Sequence, residues 1–258
     1  NMTHNFKKKF GQNFISDKNL LNAIVDDASI TNDDEVLEIG AGEGALTKAI
    51  SQKAKEVVSY EIDSDLKPTL LSLNLPNTKF IFGDIMDFEI GEIEKDFSGT
   101  YSIIANLPYY ITSPIIFKFL NGTKRLKSLT IMVQKEVAQR IIAKAGSKDY
   151  GVLSIMVQFH GDVAVTRMVS RNMFYPQPNV DSSVVHIKVR EKYSDIDSNK
   201  FYRFIQTCFS MRRKTLKNNL SHSEEFSPLI EKLDEKTLLL RAENFTIEQF
   251  IKIFKHLS

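Results

Sequence analysis

The segment Glu38-Ile39-Gly40-Ala41-Gly42-Glu43-Gly44 combines residue types and spacing that suit ligand binding. Glycines permit a sharp turn and, lacking a Cβ, let a ligand lie close to the backbone. The spacing is G-x-G-x-G, not the G-x-G-x-x-G of a phosphate cradle, and the absence of G-K-[ST] excludes a P-loop. A plain strand-to-helix turn would use the same residues. Glu61, 17 residues beyond Gly44, offers a carboxylate able to accept from both hydroxyls of a ribose. Asp84 offers an acceptor for an adenine amine, with the Ile85 N–H donating to the ring, although Gly83-Asp84 alone is also a common turn. Together these residues describe an adenosine pocket. The missing phosphate cradle points away from a dinucleotide and toward S-adenosylmethionine.

These groups need elements to hold them. Leu20, Leu21, Ile24 and Val25 have helical spacing and predict a helix before the first strand. Glu35–Ile39, Glu56–Glu61, Lys79–Phe82, Tyr101–Ala105 and Leu129–Gln134 read as strands, and Ala45–Ala54 as a helix. Residues 151–161 and Val184–Val189 read as further strand-like runs. Strands alternating with helical patterns predict an α/β fold with a mostly parallel sheet flanked by helices. Ligands in such sheets bind at the carboxyl ends of the strands. The glycine turn, Glu61, Asp84 and Asn106 all fall there. Past about Tyr193 the strand signal stops, and 200–220 and 227–257 read as helical. The expected division is 1–192, a sheet-bearing catalytic domain, and 193–258, a small helical domain.

Asn106-Leu107-Pro108-Tyr109 stands at a strand end, with Gly11-Gln12-Asn13-Phe14 before the sheet and Phe174-Tyr175-Pro176-Gln177-Pro178 after it. On these motifs, in this order, residues 7–220 closely resemble the rRNA adenine dimethyltransferases. Asn106 through Pro114, Val180-Asp181-Ser182 and Arg212 through Leu220 are similar to the small-subunit branch. The resemblance implies a Rossmann-like, S-adenosylmethionine-dependent methyltransferase domain followed by a helical RNA-docking domain. It implies that Gln12, Asn13, Ile15, Gly40, Gly42, Glu61, Asp84, Ile85 and Asn106 line the S-adenosylmethionine site. The implied substrate is two adjacent adenosines in a hairpin loop near the 3′ end of small-subunit (16S) rRNA, each carried to N6,N6-dimethyladenosine during ribosome biogenesis. The alternatives are a large-subunit (23S) methylase conferring macrolide resistance and a noncatalytic rRNA-binding assembly factor. A dehydrogenase is disfavoured by the glycine spacing.

In that setting Asn106, Leu107, Pro108, Tyr109 and Phe174 are the expected catalytic residues. The adenine amine is a poor nucleophile because its lone pair is delocalised into the ring. The Asn106 side-chain oxygen and the Leu107 carbonyl can accept its two N–H groups and favour a pyramidal nitrogen. Pro108 stiffens the turn. Tyr109 and Phe174 offer ring faces to an everted base. The blander reading is a strand-terminating turn with a half-buried tyrosine and two core aromatics beside a proline turn.

Charge and composition narrow the classes. The chain has 34 basic and 32 acidic residues among 258, with 42% hydrophobic content, an ordinary globular composition. Lys7, Lys8 and Lys9 form one acid-free basic cluster. Residues 200–220 form another, with six basic residues and no acid, whereas 19–47 holds seven acids and no base. Such segregation suits an oriented approach to a phosphate backbone. Lys7, Lys8, Lys9, Arg212, Arg213 and Lys217 are the expected RNA contacts, against the alternative of a solvated helical face. Cys208 is the single cysteine, and neither it nor the five histidines form a metal constellation, so no metal is expected. No apolar run is long enough to span a bilayer and none follows Lys7–Lys9 as a signal peptide would require. The expectation is a cytoplasmic monomer whose partner is small-subunit rRNA or the immature small ribosomal subunit.

Overall fold

The computed structural model describes residues 10–258. In chain order it contains β1 (Phe14–Ile15), α1 (Lys18–Asp27), β2 (Glu35–Ile39), α2 (Ala45–Ser51), β3 (Glu56–Glu61), α3 (Lys67–Leu71), β4 (Thr78–Phe82) and α4 (Ile90–Glu94). There follow β5 (Tyr101–Asn106), α5 (Thr112–Gly122), β6 (Leu126–Gln134), α6 (Lys135–Ile142), α7 (Val152–His160), β7 (Gly161–Val169), β8 (Phe174–Tyr175) and β9 (Ser182–Val189). The remaining elements are α8 (Ser198–Cys208), α9 (Leu216–Ser221), α10 (Glu235–Leu238) and α11 (Ile247–Lys255).

Seven strands form one sheet in the order β4-β3-β2-β5-β6-β9-β7. The first five are parallel, and β9 joins β6 antiparallel. Strands β2 and β5 are buried along nearly their whole length, because helices cover such sheets on both faces, and they are apolar there except for Glu38 and Ser102. From β2 the chain winds outward through β3 and β4, then returns to β5 on the other side. This reversal places a crevice between the carboxyl ends of β2 and β5, the usual ligand position in open α/β sheets. One face of the sheet, through Val36, Val57, Ile104 and Met132, packs on Leu21, Ile24 and Val25 of α1 and Leu46 and Ile50 of α2. Asp17 caps α1 by accepting from the Leu20 N–H at 2.9 Å. Separately, β1 and β8 form a two-stranded ribbon with Phe14 opposite Tyr175 and Ile15 opposite Phe174.

The described residues divide into two compact units, one running to Ala138 and including Val163–Val189, the other Gln139–Asp162 with Arg190–Ser258. The second unit is therefore not a contiguous C-terminal piece: residues 139–162 belong with it, which a linear cut at 192/193 does not provide for. Its core is aromatic, with Phe159 stacked on Phe201 at 4.8 Å and Phe204 against Phe226, Phe250 and Phe254. Residues 152–160, expected as a strand, form helix α7. Leu153, Ile155, Met156, Val157 and Phe159 are all buried, so the helix is apolar around most of its circumference and its sequence lacks a 3.6-residue signal. The expected long helices at 200–220 and 227–257 are broken into shorter pieces. The first break, after Cys208, is held by Asn219. Its Nδ2 donates to the Cys208 and Met211 carbonyls at 2.7 and 3.1 Å, and its Oδ1 accepts from the Met211 N–H at 3.1 Å.

Candidate functional site

A cavity of about 410 Å³ opens in the first unit at the β2–β5 crevice. The glycine turn forms its floor. Gly40 N–H donates to the Tyr60 carbonyl at 2.8 Å, tying the turn to β3. Gly40, Gly42 and Gly44 adopt φ of +84°, +58° and +91°, a region where a side chain costs about 1–2 kcal/mol. Two of these glycines also have close neighbours. A Cβ on Gly42 would stand 3.0 Å from the Phe14 ring, and one on Gly44 would stand 2.3 Å from Leu73 Cδ1. At Gly40 the nearest atom would be the Asn106 carbonyl oxygen at 3.6 Å, so that position has room for a ligand.

Glu61 ends β3 at the cavity wall and is 4% exposed. Its Oε1 accepts from the Gly42 N–H and its Oε2 from the Asp63 N–H, both at 2.8 Å. These bonds fix the carboxylate against the turn. Asn106 ends β5, and its Nδ2 donates to the Asn13 carbonyl at 3.1 Å, which sets the orientation of the amide. The Leu107 N–H is held by the Met132 carbonyl at 3.3 Å. Pro108 has φ −59°, and its carbonyl accepts from Thr112 Oγ1 at 3.1 Å and from the Ile111 N–H at 3.3 Å. The turn is thus anchored on both sides of the asparagine.

Two aromatic rings flank this turn. Tyr109 is 60% exposed at the mouth, whereas Phe174 is 6% exposed and faces inward from β8. Tyr175, the next residue of the ribbon, is 69% exposed and also lines the cavity.

The cavity therefore collects Gln12, Asn13, Ile15, Gly40, Gly42, Glu61, Asn106, Leu107, Pro108, Tyr109 and Phe174. Asp84 and Ile85 are not among its lining residues. Asp84 caps a short 3₁₀ turn by accepting from the Met86 N–H at 2.9 Å, and Ile85 is buried. They follow β4, next to Glu61, whose carbonyl accepts from the Gly83 N–H at 2.9 Å. Burial, reinforced by the charges of Asp84 and Glu61, raises the Tyr110 phenol above its ordinary value of 10.0. Met132 and Gln134 also line the cavity and lie in no motif, whereas Pro178, Val180 and Ser182, which line it too, belong to the motifs at 174–178 and 180–182.

Glu38 lies behind the floor, fully buried. Its Oε1 accepts from Thr47 Oγ1 and from Ser59 Oγ, the latter at 2.6 Å, and its Oε2 has no hydrogen-bond partner. Desolvation, opposed by these two hydroxyls and reinforced by the Glu61 charge, pushes its carboxyl up from 4.5 to about 7.

Among the described residues, none of the expected RNA contacts lines this cavity. Lys7, Lys8 and Lys9 lie outside the described residues. Arg212, Arg213 and Lys217 belong to the second unit and are exposed. Arg212 is engaged within that unit. Its guanidinium donates to the Lys148 carbonyl at 2.6 Å and to the Ser147 carbonyl at 3.3 Å, and lies 3.5 Å from the Glu243 carboxylate. Among the described residues no group of three or more His, Cys, Asp or Glu is placed to hold a metal, and no helix is long and apolar enough to cross a membrane.

Comparison with known proteins places this architecture. A family model described as ribosomal RNA adenine dimethylase matches residues 3–258. The ribosomal RNA small subunit methyltransferase A of Mycoplasma mobile is 44% identical over 237 residues, covering 90% of this chain and 91% of that protein. The protein of the same name from Clostridioides difficile is 40% identical, covering 95% and 88%. Among solved structures, a dimethyladenosine transferase from Plasmodium falciparum superposes with a TM-score of 0.80 at 27% identity, covering 94% of this chain and 96% of that one. The 23S rRNA methyltransferase ErmE gives a TM-score of 0.68 at 25% identity, covering 95% and 99%. With the glycine turn, the strand-end carboxylate and the Asn-Leu-Pro-Tyr turn meeting at one cavity, and with the family model matching nearly the whole sequence, the chain belongs to the ribosomal RNA adenine dimethylase family.

Proposed function

We propose that this chain transfers methyl groups from S-adenosylmethionine to the N6 amines of two adjacent adenosines near the 3′ end of small-subunit rRNA, giving N6,N6-dimethyladenosine at both. The observation that carries this reading is the meeting of Asn106 and Glu61 in one cavity, with glycine backbone between them. Relatives that are 40–44% identical and named for small-subunit rRNA support that substrate over large-subunit rRNA.

The residues present fit S-adenosylmethionine. Glu61 is oriented by two backbone N–H groups for a ribose, and the space at Gly40 admits a ligand beside the Asn106 backbone. Gln12, Asn13, Ile15, Gly40, Gly42, Glu61 and Asn106 would hold the donor, with Asp84 and Ile85 at the adenine end. When bound, the donor supplies an electrophilic sulfonium methyl.

The protein's part is alignment. Asn106 Nδ2 is committed to the Asn13 carbonyl, so Oδ1 is the end that accepts from the target amine. The Leu107 carbonyl is the second acceptor. Together they draw the amine's two N–H bonds to one side and direct its lone pair to the other. Tyr109 and Phe174 hold the purine between them, each base–aromatic contact contributing about 1–3 kcal/mol. Transfer to an already reactive methyl requires approach within about 3–3.5 Å more than a strong base. The proton lost from nitrogen becomes acidic as the new bond forms, and water accepts it. Arg213 and Lys217 of the second unit, and Lys7, Lys8 and Lys9, are the phosphate contacts in this reading, with Arg212 contributing charge while it anchors its own loop.

Asn106→Ala tests the reading. Binding of S-adenosylhomocysteine stays within about threefold of wild type while methyl transfer falls by at least about a hundredfold, the scale of losing an oriented polar contact in a transition state. Unchanged turnover refutes the assignment.

A further inference from the structure

Asp63 belongs to no motif, yet it stands at the start of a chain of contacts that ends on the Asn106 amide. It follows β3 and is 1% exposed. Its Oδ1 accepts from the Asp65 N–H at 3.1 Å, and its Oδ2 from Gln12 Nε2 at 2.9 Å. The residue after Gln12 supplies the carbonyl that receives Asn106 Nδ2. One residue further, the Phe14 ring fills the space a Cβ on Gly42 would take. Residues 12–14 thus cross the carboxyl ends of β3, β2 and β5 and are fixed at each.

An asparagine amide has a donor end and an acceptor end of nearly equal size. If it turned over, Nδ2 would face the target amine, donor against donor, and neither base nor nitrogen could be held. The Asn13 carbonyl prevents this only while residues 12–14 keep their position along the strand ends. We propose that Asp63 is a positioning residue for methyl transfer: by clasping Gln12 it holds the Asn13 carbonyl where it keeps the Asn106 oxygen turned toward the substrate amine. The inference rests on the assignment of Asn106 made above and extends the machinery to a residue that touches neither donor nor base.

Alanine at 63 retains the backbone N–H that binds Glu61, so the ribose carboxylate keeps its tie. Asp63→Asn keeps its one oxygen for the Asp65 N–H and can pair its NH₂ with the Gln12 side-chain oxygen once the Gln12 amide turns over, so the tie to Gln12 is retained. The test uses the full chain in excess over small ribosomal subunits lacking the modification, in single-turnover methyl transfer, with S-adenosylhomocysteine binding by calorimetry as a second readout. Asp63→Ala lowers the transfer rate about tenfold, the effect of losing one charge-assisted hydrogen bond. Binding of the spent donor changes by no more than about threefold, the scatter of uncoupled sites. Asp63→Asn recovers most of the rate. In an Asn106→Ala background, adding Asp63→Ala lowers the rate no further. If Asp63→Ala does not fold, Gln12→Ala removes the same bond from the other end and, measured at donor concentrations that saturate the site, reproduces the rate loss. The proposal is overturned if Asp63→Ala transfers at the wild-type rate, if Asp63→Asn is as damaged as Asp63→Ala, or if the loss is equally large without Asn106. Failure of the underlying function looks different, because then the wild-type chain itself methylates nothing.

Discussion

Replacing Glu38 by glutamine removes a buried ionisable group from behind the cavity floor, and its effect reverses direction with pH. Below the ordinary value of 4.5 the carboxyl is protonated in both folded and unfolded chains, and it adds no pH dependence. Between 4.5 and about 7 the folded chain retains a proton that the unfolded chain has released, so stability falls as pH rises. Above about 7 the loss is complete and amounts to about 3 kcal/mol. Glutamine keeps an oxygen for Thr47 and Ser59 and cannot ionise. Its NH₂ takes the place of Oε2, which has no partner, and that costs about 1–3 kcal/mol at every pH. Wild type is therefore the more stable protein in mild acid. From about pH 5 to pH 8 the difference moves by about 2–3 kcal/mol in favour of Glu38→Gln. Urea unfolding of both proteins at the two pH values, followed by a signal from the first unit, measures the change as a shift in relative midpoints. Equal midpoint differences at both pH values would refute the reasoning and mean that Glu38 is ionised at little cost.

Three further predictions concern the floor and the basic surface. Gly44→Ala combines a left-handed φ with displacement of Leu73 and pressure on the buried Leu70, and it lowers stability by about 2–3 kcal/mol in denaturant melts; a loss under about 0.5 kcal/mol contradicts the close packing of the turn. Charge reversal at Arg213 and Lys217 flattens the salt dependence of RNA binding by about one unit of slope per lost phosphate contact and leaves melts unchanged. Arg212→Ala instead lowers stability by about 1 kcal/mol through lost bonds to the Ser147 and Lys148 carbonyls; a destabilised Arg213 variant or a silent Arg212 variant would reverse those roles.

The strands that carry the site were legible because each is a short apolar run ending on a polar residue, as at Ile39-Gly40, Tyr60-Glu61 and Ala105-Asn106. Their order in the sheet has no marker in these runs and is seen only in the fold. Helix α7 was not legible. A helix buried around most of its surface has no polar face, and Val152–His160 reads as well as a strand. The break at 209–215 depends on Asn219 reaching back to Cys208 and Met211, a contact between residues that look like ordinary helix interior. Membership of 139–162 in the second unit depends on tertiary packing and has no marker in composition. At the site, the glycines, Glu61 and Asn106 declared themselves by residue type and strand-end position. Asp63 did not, because an acid two residues past a strand end is common, and only the fold shows that it meets Gln12. Arg212, one of three consecutive basic residues, reads as an RNA contact, and the sequence does not show that its guanidinium also binds two backbone carbonyls.

Transfer of labelled methyl from S-adenosylmethionine to small ribosomal subunits that lack the modification, followed by nucleoside digestion and mapping, addresses the central claim directly. Label is predicted in N6,N6-dimethyladenosine at two adjacent positions near the 3′ end of the small-subunit rRNA, with none in large-subunit rRNA. Label confined to large-subunit rRNA, or to a nucleoside other than methylated adenosine, would contradict the account.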